Sequence, residues 1–239
     1  MKVAILAGGR GARLGEAGPK PLAEIGGRPL IWHVMMLYRQ AGFRDFVIAL
    51  GHGGDAIRQW FAGAGPADWT VELVDTGADT MTGGRLKRLK PHLGGGTFML
   101  TWADGLADVD LAALLAFHRA HGKLATLTAV APPPRFGRLT LDGDRVTTFV
   151  EKPPGAEGWI NGAFFVLEPA VLDMIEGDAT AFEAGPLPAL ARDGELMAWR
   201  HAGFWDCVDT PADLATLRRR WDASDRPWAT WEKSACASS

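Results

Sequence analysis

Apolar positions along the chain alternate between two kinds of run. Val3 to Ala7 and Phe46 to Leu50 are short apolar runs, as strands buried on both faces require, and Thr70 to Val74, Thr97 to Trp102 and Leu124 to Val130 read as three further strands. Between the first two, Leu30, Ile31, Val34, Met35, Leu37 and Tyr38 recur at helical spacing. Pro29 opens that pattern and Gly42 closes it. Asp55 to Phe61 and Arg85 to Leu89 predict two more helices. Asp108 or Asp110 can cap another that runs through Leu115, Phe117 and His118. Strand and helix alternating at short intervals predict a parallel sheet covered by helices on both faces.

Past Val130 the rhythm changes. Arg138 to Leu141 and Arg145 to Val150 flank Asp142-Gly143-Asp144, a hairpin signal. Ile160 to Leu167 reads as a strand, Ala170 to Ile175 as a helix, and Leu196 to Arg200 and Trp205 to Val208 as short strands. Thr210 is an N-cap, with Pro211 at the first helical position and Asp213 three residues on, a capping-box arrangement. Leu214, Leu217 and Trp221 lie on the helix it opens, and Trp228 and Trp231 can anchor the polar tail. The expected fold is therefore α/β and Rossmann-like, with a mixed, mostly parallel central sheet.

Composition narrows the partners. Lys and Arg number 25 against 28 Asp and Glu, giving a net charge of −3. That balance argues against binding driven by bulk attraction to nucleic acid or to a membrane surface. Two cysteines cannot build a disulfide framework. The apolar run at the N-terminus is shorter than the roughly 7–15 residues of a signal peptide core, and no stretch approaches the roughly 20 apolar residues of a membrane span. A cytoplasmic protein is expected. Glycine, at 30 of 239 residues, calls for a local explanation.

The first glycine cluster, Leu6-Ala7-Gly8-Gly9-Arg10-Gly11-Ala12-Arg13-Leu14, follows a buried strand directly. Glycines there let backbone N–H groups approach a phosphate or a base without a Cβ in the way. A dinucleotide fingerprint fails, because Leu14 stands at its third glycine and Leu50-Gly51-His52 lacks the acid at the end of the second strand. A Walker loop fails because Lys20 is followed by Pro21. A glycine loop with Arg13, then Pro19-Lys20-Pro21, remains.

That combination resembles the sugar-1-phosphate nucleotidyltransferase family, with its strand, L-A-G-G-x-G-[ST]-R-L and following P-K-P; Ala12 departs from the usual Ser or Thr. The resemblance implies the nucleotide-diphospho-sugar transferase fold over one domain spanning 1–239. A nucleotide-binding half would cover 1–131, a sugar-phosphate half 132–222 and a tail 223–239. It implies transfer of a nucleotidyl group from a nucleoside triphosphate to a sugar 1-phosphate with release of pyrophosphate. Leu6, Ala7, Gly8, Gly9 and Gly11 would then bind nucleotide, and Arg13 and Lys20 would be catalytic. Charge accumulates on both sides of the α-phosphorus in such a reaction, so cations and positioning do most of the work.

A divalent cation bridging phosphate oxygens needs one or two carboxylates. Asp104 ends a buried strand, where ligands of open parallel sheets gather. Asp209 precedes the Thr210 cap, so capping does not account for it. In the family an Asp in a D-G motif and a later Asp in a D-T motif hold Mg²⁺; Asp104-Gly105 and Asp209-Thr210 match, and Asp206 is a weaker candidate. The family's V-E-K-P element matches Val150-Glu151-Lys152-Pro153, and its N-G element matches Asn161-Gly162. The resemblance assigns Glu151, Lys152, Asn161 and Gly162 to the sugar phosphate, and Gly137 is expected to border that pocket.

Asp75-Thr76-Gly77 followed by Thr82-Gly83-Gly84-Arg85-Leu86-Lys87-Arg88 is similar to a cytidylyl-transferring branch of the family whose sugar is glucose 1-phosphate. Phe117-His118-Arg119-Ala120-His121-Gly122-Lys123 and the Phe204-Trp205 pair belong to the same likeness. It implies that Thr82, Gly83 and Arg85 meet the nucleotide, that the product is a sugar nucleotide such as CDP-glucose, and that the protein is a homo-oligomer acting on small molecules. Two alternatives stay open: the same reaction with UTP or GTP and another hexose or heptose phosphate, or a homologue that binds sugar nucleotides without catalysis.

Overall fold

Val3, Ala4 and Ile5 are fully buried because their strand lies in the middle of the sheet with a layer on each face. A computed structural model describes residues 1–9, 18–64, 68–132, 138–150 and 158–232. In chain order the elements begin with β1 (Lys2–Leu6), the two-residue strands β2 (Glu24–Ile25) and β3 (Arg28–Pro29), α1 (Leu30–Gln40) and β4 (Asp45–Leu50). Next come α2 (Gly54–Ala64), β5 (Thr70–Asp75), α3 (Thr82–Arg88), β6 (Phe98–Trp102), β7 (Gly105–Ala107), α4 (Leu111–His121) and β8 (Ala125–Val130). The hairpin β9 (Arg138–Asp142) and β10 (Arg145–Val150) follows, then β11 (Ile160–Leu167), α5 (Pro186–Arg192), β12 (Leu196–His201), β13 (Trp205–Cys207) and α6 (Pro211–Asp222).

Seven strands form one sheet in the order β12-β8-β11-β6-β1-β4-β5. Only β11 runs against its neighbours, pairing antiparallel with both β6 and β8. The other adjacent pairs are parallel, so the expected mixed, mostly parallel sheet is found. Period-2 alternation sorts β1 between two cores. Val3 and Ile5 pack with α1, α4 and α6 residues such as Leu30, Leu114 and Leu217, while Ala4 and Leu6 face Leu86 of α3 and Leu190 of α5. The chain steps from β1 outward through β4 and β5, then crosses to β6 on β1's other side. A topological switch point results, the place where open α/β sheets bind ligands.

Pro29 is the N-cap of α1, and Gly42, at φ +91°, turns the chain just past its end. Asp110 alone caps α4, accepting from the Ala113 amide at 2.9 Å; Asp108 pairs instead with His201 Nε2 at 3.1 Å. The capping box at Thr210 and Asp213 is complete. Ala170 to Ile175, expected as a helix, is a 3₁₀ turn over Pro169–Met174: Ile175 returns to extended backbone, and burial of Val171, Leu172 and Ile175 pins the short segment. The pattern gave no sign of β2, β3 or β7, whose two or three residues carry no period, nor of the seven-residue α5. The tail tryptophans do dock. Trp228 is fully buried with its ring centroid 5.5 Å from that of Phe204, and Trp231 meets Trp32 at 5.6 Å. Among the described residues no helix is long and apolar enough to cross a membrane.

Candidate active site

The site gathers at the carboxyl ends of β1 and β6. Beyond β1 the backbone continues in register: the Ala7 amide donates to the Ala49 carbonyl at 3.0 Å, and the His52 amide to the Gly8 carbonyl at 3.2 Å. Beyond β6 the Ala103 amide donates to the Leu6 carbonyl at 3.2 Å, which delivers Asp104 to the same edge. β7 then turns back against β13 in antiparallel pairing, Gly105 opposite Cys207. The Val208 amide donates to the Asp104 carbonyl at 3.0 Å, and Asp209 comes alongside Asp104.

Lys20 lies between the two carboxylates. It starts a 3₁₀ turn between Pro19 and Pro21, closed by the Leu22 amide on the Pro19 carbonyl at 2.8 Å. Its ammonium donates to Asp104 Oδ2 at 2.7 Å and to Asp209 Oδ1 at 3.0 Å. Burial alone would lower the pKa of Lys20; the charge and hydrogen bond of Asp104, followed by those of Asp209, outweigh it and hold Lys20 above the ordinary lysine value. Cys207 Sγ lies 3.6 Å from Asp209 Oδ2. Burial first, then the charges of Asp209, Asp104 and Asp206, push its thiol up to about 12, so Cys207 is a neutral neighbour of the acid pair.

A cavity of about 490 Å³ opens beside this cluster. Its walls are formed by Leu6 to Gly9, by Ala78 to Thr82 with Arg85, and by Lys20, Trp102 and Asp104. Arg85 is 4% exposed and ties the walls together. Its Nη1 donates to the Leu50 carbonyl at 3.1 Å, Thr76 Oγ1 at 2.8 Å and the Gly77 carbonyl at 2.7 Å, while Nη2 reaches the Ala78 carbonyl at 3.2 Å. The guanidinium lies across the Cα atoms of Gly8 and Gly51, where any Cβ would collide with it. Gly8 is thus glycine to admit Arg85, whereas a Cβ on Gly9 would meet nothing within 4 Å.

Gly83 and Gly84 face the segment Asp178 to Phe182, which follows the 3₁₀ turn at Pro169–Met174. A Cβ on Gly83 would lie 2.7 Å from the Thr180 carbonyl oxygen, and one on Gly84 2.5 Å from Asp178 Cα. Close helix packing explains both glycines, and Gly83 is not on the cavity wall where a nucleotide-binding role would put it. Thr82 reaches the cavity edge and donates its hydroxyl to Glu183 Oε2 at 2.6 Å while accepting from the Phe182 amide at 2.9 Å.

Asn161 and Gly162 lie in an irregular stretch of β11, where the register against β8 shifts between Asn161 and Phe165. Asn161 Oδ1 accepts from the Ala163 amide at 2.9 Å, and Ala163 sits at φ +63°, an uncommon conformation for a residue with a Cβ. A Cβ on Gly162 would lie 2.8 Å from Val130 Cγ1. Trp205 of β13 donates its indole N–H to the Gly162 carbonyl at 2.8 Å and thereby joins this bulge to the ladder carrying Asp104 and Asp209. The pattern of the sequence did not single out Trp205 or Trp102 for the site. Gly11, Arg13, Gly137, Glu151 and Lys152 lie outside the described residues.

A cavity at the switch point of a mostly parallel sheet, ended by a lysine between two aspartates, defines an α/β protein built to bind a ligand there. The chain belongs to the Nucleotidyl transferase family, whose sequence model matches residues 2–216. It is 45% identical over 257 aligned positions to the glucose-1-phosphate cytidylyltransferase of Salmonella typhi, covering 97% of this chain and all of that one. A mannose-1-phosphate guanyltransferase of Emericella nidulans is 33% identical across 90% of this chain and 63% of its own length. Among solved structures, HddC from Yersinia pseudotuberculosis superposes with a TM-score of 0.73 at 22% identity, covering 92% of this chain and 99% of that one, a likeness of fold.

Proposed function

We propose that this protein transfers the cytidylyl group of CTP to α-D-glucose 1-phosphate, releasing pyrophosphate and forming CDP-glucose, with Mg²⁺ as cofactor. The observation that carries the reading is Lys20 flanked by Asp104 and Asp209 at the end of the glycine-walled cavity. The full-length identity to the Salmonella typhi enzyme supports the choice of substrates.

The chemistry follows from where charge moves. A phosphate oxygen of glucose 1-phosphate attacks the α-phosphorus of CTP. A new P–O bond forms, the bond to the bridging oxygen breaks, and the electron pair leaves with pyrophosphate. The segments Leu6 to Gly9 and Ala78 to Thr82 would hold the nucleotide, and Gly11 is assigned to it as well. The Lys20 ammonium, with Arg13, would meet the charge that builds on the α-phosphate oxygens. Arg85 shapes the nucleotide wall by fixing the carbonyls of Gly77 and Ala78. Asn161 and Gly162, with Gly137, Glu151 and Lys152, would receive the sugar and its phosphate, carboxylate and amide groups meeting hydroxyls and the lysine meeting the dianion.

The acid pair fits a hard divalent cation. Asp104 Oδ2 and Asp209 Oδ1 both lie within hydrogen-bond distance of one ammonium nitrogen, so their oxygens already converge on one cationic point. Two carboxylates plus substrate phosphate and water match how Mg²⁺ is held. Bound there, Mg²⁺ would supply charge stabilisation to the phosphates.

Pyrophosphate release, measured over a matrix of the four nucleoside triphosphates against a panel of sugar 1-phosphates, tests the reading. Turnover should be highest with CTP and glucose 1-phosphate. A different preferred pair would keep the reaction and replace the substrates. Saturable nucleotide binding with no pyrophosphate from any pair would make the chain a binding protein and overturn the proposal.

A further inference from the structure

We infer that Lys20 also occupies the metal's place in the nucleotide-free protein, so that a divalent ion reaches Asp104 and Asp209 only after nucleotide has drawn the lysine away. This rests on the reading that the two carboxylates hold the metal. The ammonium stands 2.7 Å from one carboxylate oxygen and 3.0 Å from the other. An ion bridging the same two oxygens would have to lie where that nitrogen lies, and it would meet a like charge there.

The placement of Lys20 is built, since the prolines on either side restrict the backbone and the 3₁₀ turn fixes where its stem begins. Its side chain is only 15% exposed. The lysine therefore blocks sterically the point on which the two carboxylate oxygens converge. Lys20 also lines the cavity and therefore has a route out. A triphosphate in the cavity offers the ammonium a richer set of anionic oxygens than the carboxylates do. Rotation of the side chain toward that phosphate vacates the point between the two aspartates at the moment a phosphate arrives to complete the metal's coordination. Metal and nucleotide are then positively coupled, and by linkage each raises the other's affinity by the same factor. A site of this kind does not bind free metal that it cannot use.

Manganese(II) titrated into the full-length protein without nucleotide, with free Mn²⁺ followed by electron paramagnetic resonance, reads this directly. Lys20→Met, which keeps the stem and removes the charge, should bind Mn²⁺ roughly ten- to hundredfold more tightly than wild type, a span typical of coupled sites. Lys20→Gln should show the same gain, and a misfolded variant could not. Lys20→Arg should stay as weak as wild type, and Lys20→Met combined with Asp104→Asn should lose the gain. Equal Mn²⁺ affinity in wild type, Lys20→Met and Lys20→Gln overturns the inference. Repeating the titration with CTP present separates the two readings. Loss of Mn²⁺ binding in Asp104→Asn keeps the carboxylates as ligands even if the lysine proves no obstacle. Unchanged binding there removes Asp104 from the metal and the inference with it.

Discussion

Two polar clusters lie at opposite edges of the same sheet, and they are finished to different degrees. At the edge where β8 begins, His121 Nδ1 accepts from the Lys123 amide at 2.9 Å, so its proton sits on Nε2 and is donated to Thr126 Oγ1 at 2.7 Å. The hydroxyl donates in turn to His118 Nδ1 at 2.8 Å, and His118 Nε2 donates to Glu168 Oε1 at 3.1 Å. Thr97 completes the carboxylate at 2.8 Å. Each donor in this chain finds an acceptor, and the cluster fastens α4 to β8 and to the ends of β6 and β11. At the other edge, one ammonium faces two carboxylates, and a cavity opens beside them. A network that completes itself contributes order. A charged network that opens onto a cavity is where a ligand can bind. Both clusters are rich in titratable residues, and both fall in stretches that resemble the family, so residue type alone does not tell them apart.

Removing the lysine gives the largest effect and tests the open cluster. Lys20→Ala should lower kcat by about a hundredfold or more while shifting the KM for CTP less than about tenfold, because its charge matters most as the transition state forms. Steady-state kinetics at saturating Mg²⁺ check this. A lost affinity with kcat untouched would move Lys20 to ground-state binding and erase the contrast with the closed cluster.

The closed cluster should answer in stability instead. Thr126→Val keeps the shape and strands both the His121 Nε2–H and His118 Nδ1, at a cost of about 1–3 kcal/mol for unmatched buried groups. Urea unfolding should show that loss, with kcat within about twofold of wild type. A large fall in kcat would mean that the two edges are coupled through the sheet.

Acid probes a third polar group, a histidine enclosed in the core. His33 is fully buried on α1, with Nε2 2.9 Å from the Ile25 carbonyl, and the rings of Trp32, Trp221 and Trp231 lie within about 6 Å of it by their centroids. Burial lowers its pKa to about 4 from the ordinary 6.5. The folded state therefore binds fewer protons than the unfolded chain between those values. Its contribution is complete above about pH 6.5 and declines as pH falls toward 4. Going from pH 7 to pH 5 should cost about 2 kcal/mol by this group. Urea midpoints at the two pH values should differ in wild type and converge in His33→Gln, and an equal acid sensitivity in the variant would place the proton uptake elsewhere.

What could be read from the sequence followed burial and local chemistry. β1, β4 and β6 are covered on both faces, which leaves apolar runs that nothing else explains, and the caps at Pro29, Asp110 and Thr210 are each settled within four residues. Lys20 and Asp104 were legible because each stands in a short motif beside a strand end. Their meeting was not, since 84 residues separate them and Asp209 lies 189 residues from Lys20. The glycines show the limit most clearly. Gly8 reads as an opening for a phosphate, yet its missing Cβ makes space for Arg85, and Gly83 and Gly84 make space for the loop at Asp178 to Phe182. A sequence shows that a Cβ is excluded at a position; only the packed neighbours show what excludes it.

Trp205 draws the comparison at its finest scale, because it joins the open cluster to the sugar side with one hydrogen bond. Its indole N–H holds the Gly162 carbonyl at 2.8 Å, beside the positive φ of Ala163 and the Asn161 turn that the bulge requires. Trp205→Phe keeps most of the ring and removes that donor, worth about 0.5–1.5 kcal/mol. If the bulge positions the sugar, the KM for glucose 1-phosphate should rise about two- to tenfold, with the KM for CTP and the Mg²⁺ requirement unmoved. Trp205→His, which can restore an N–H, should recover part of the loss. A parallel rise in both KM values would instead mean that Trp205 only braces the β7–β13 ladder, and that the open cluster ends at Asp104 and Asp209.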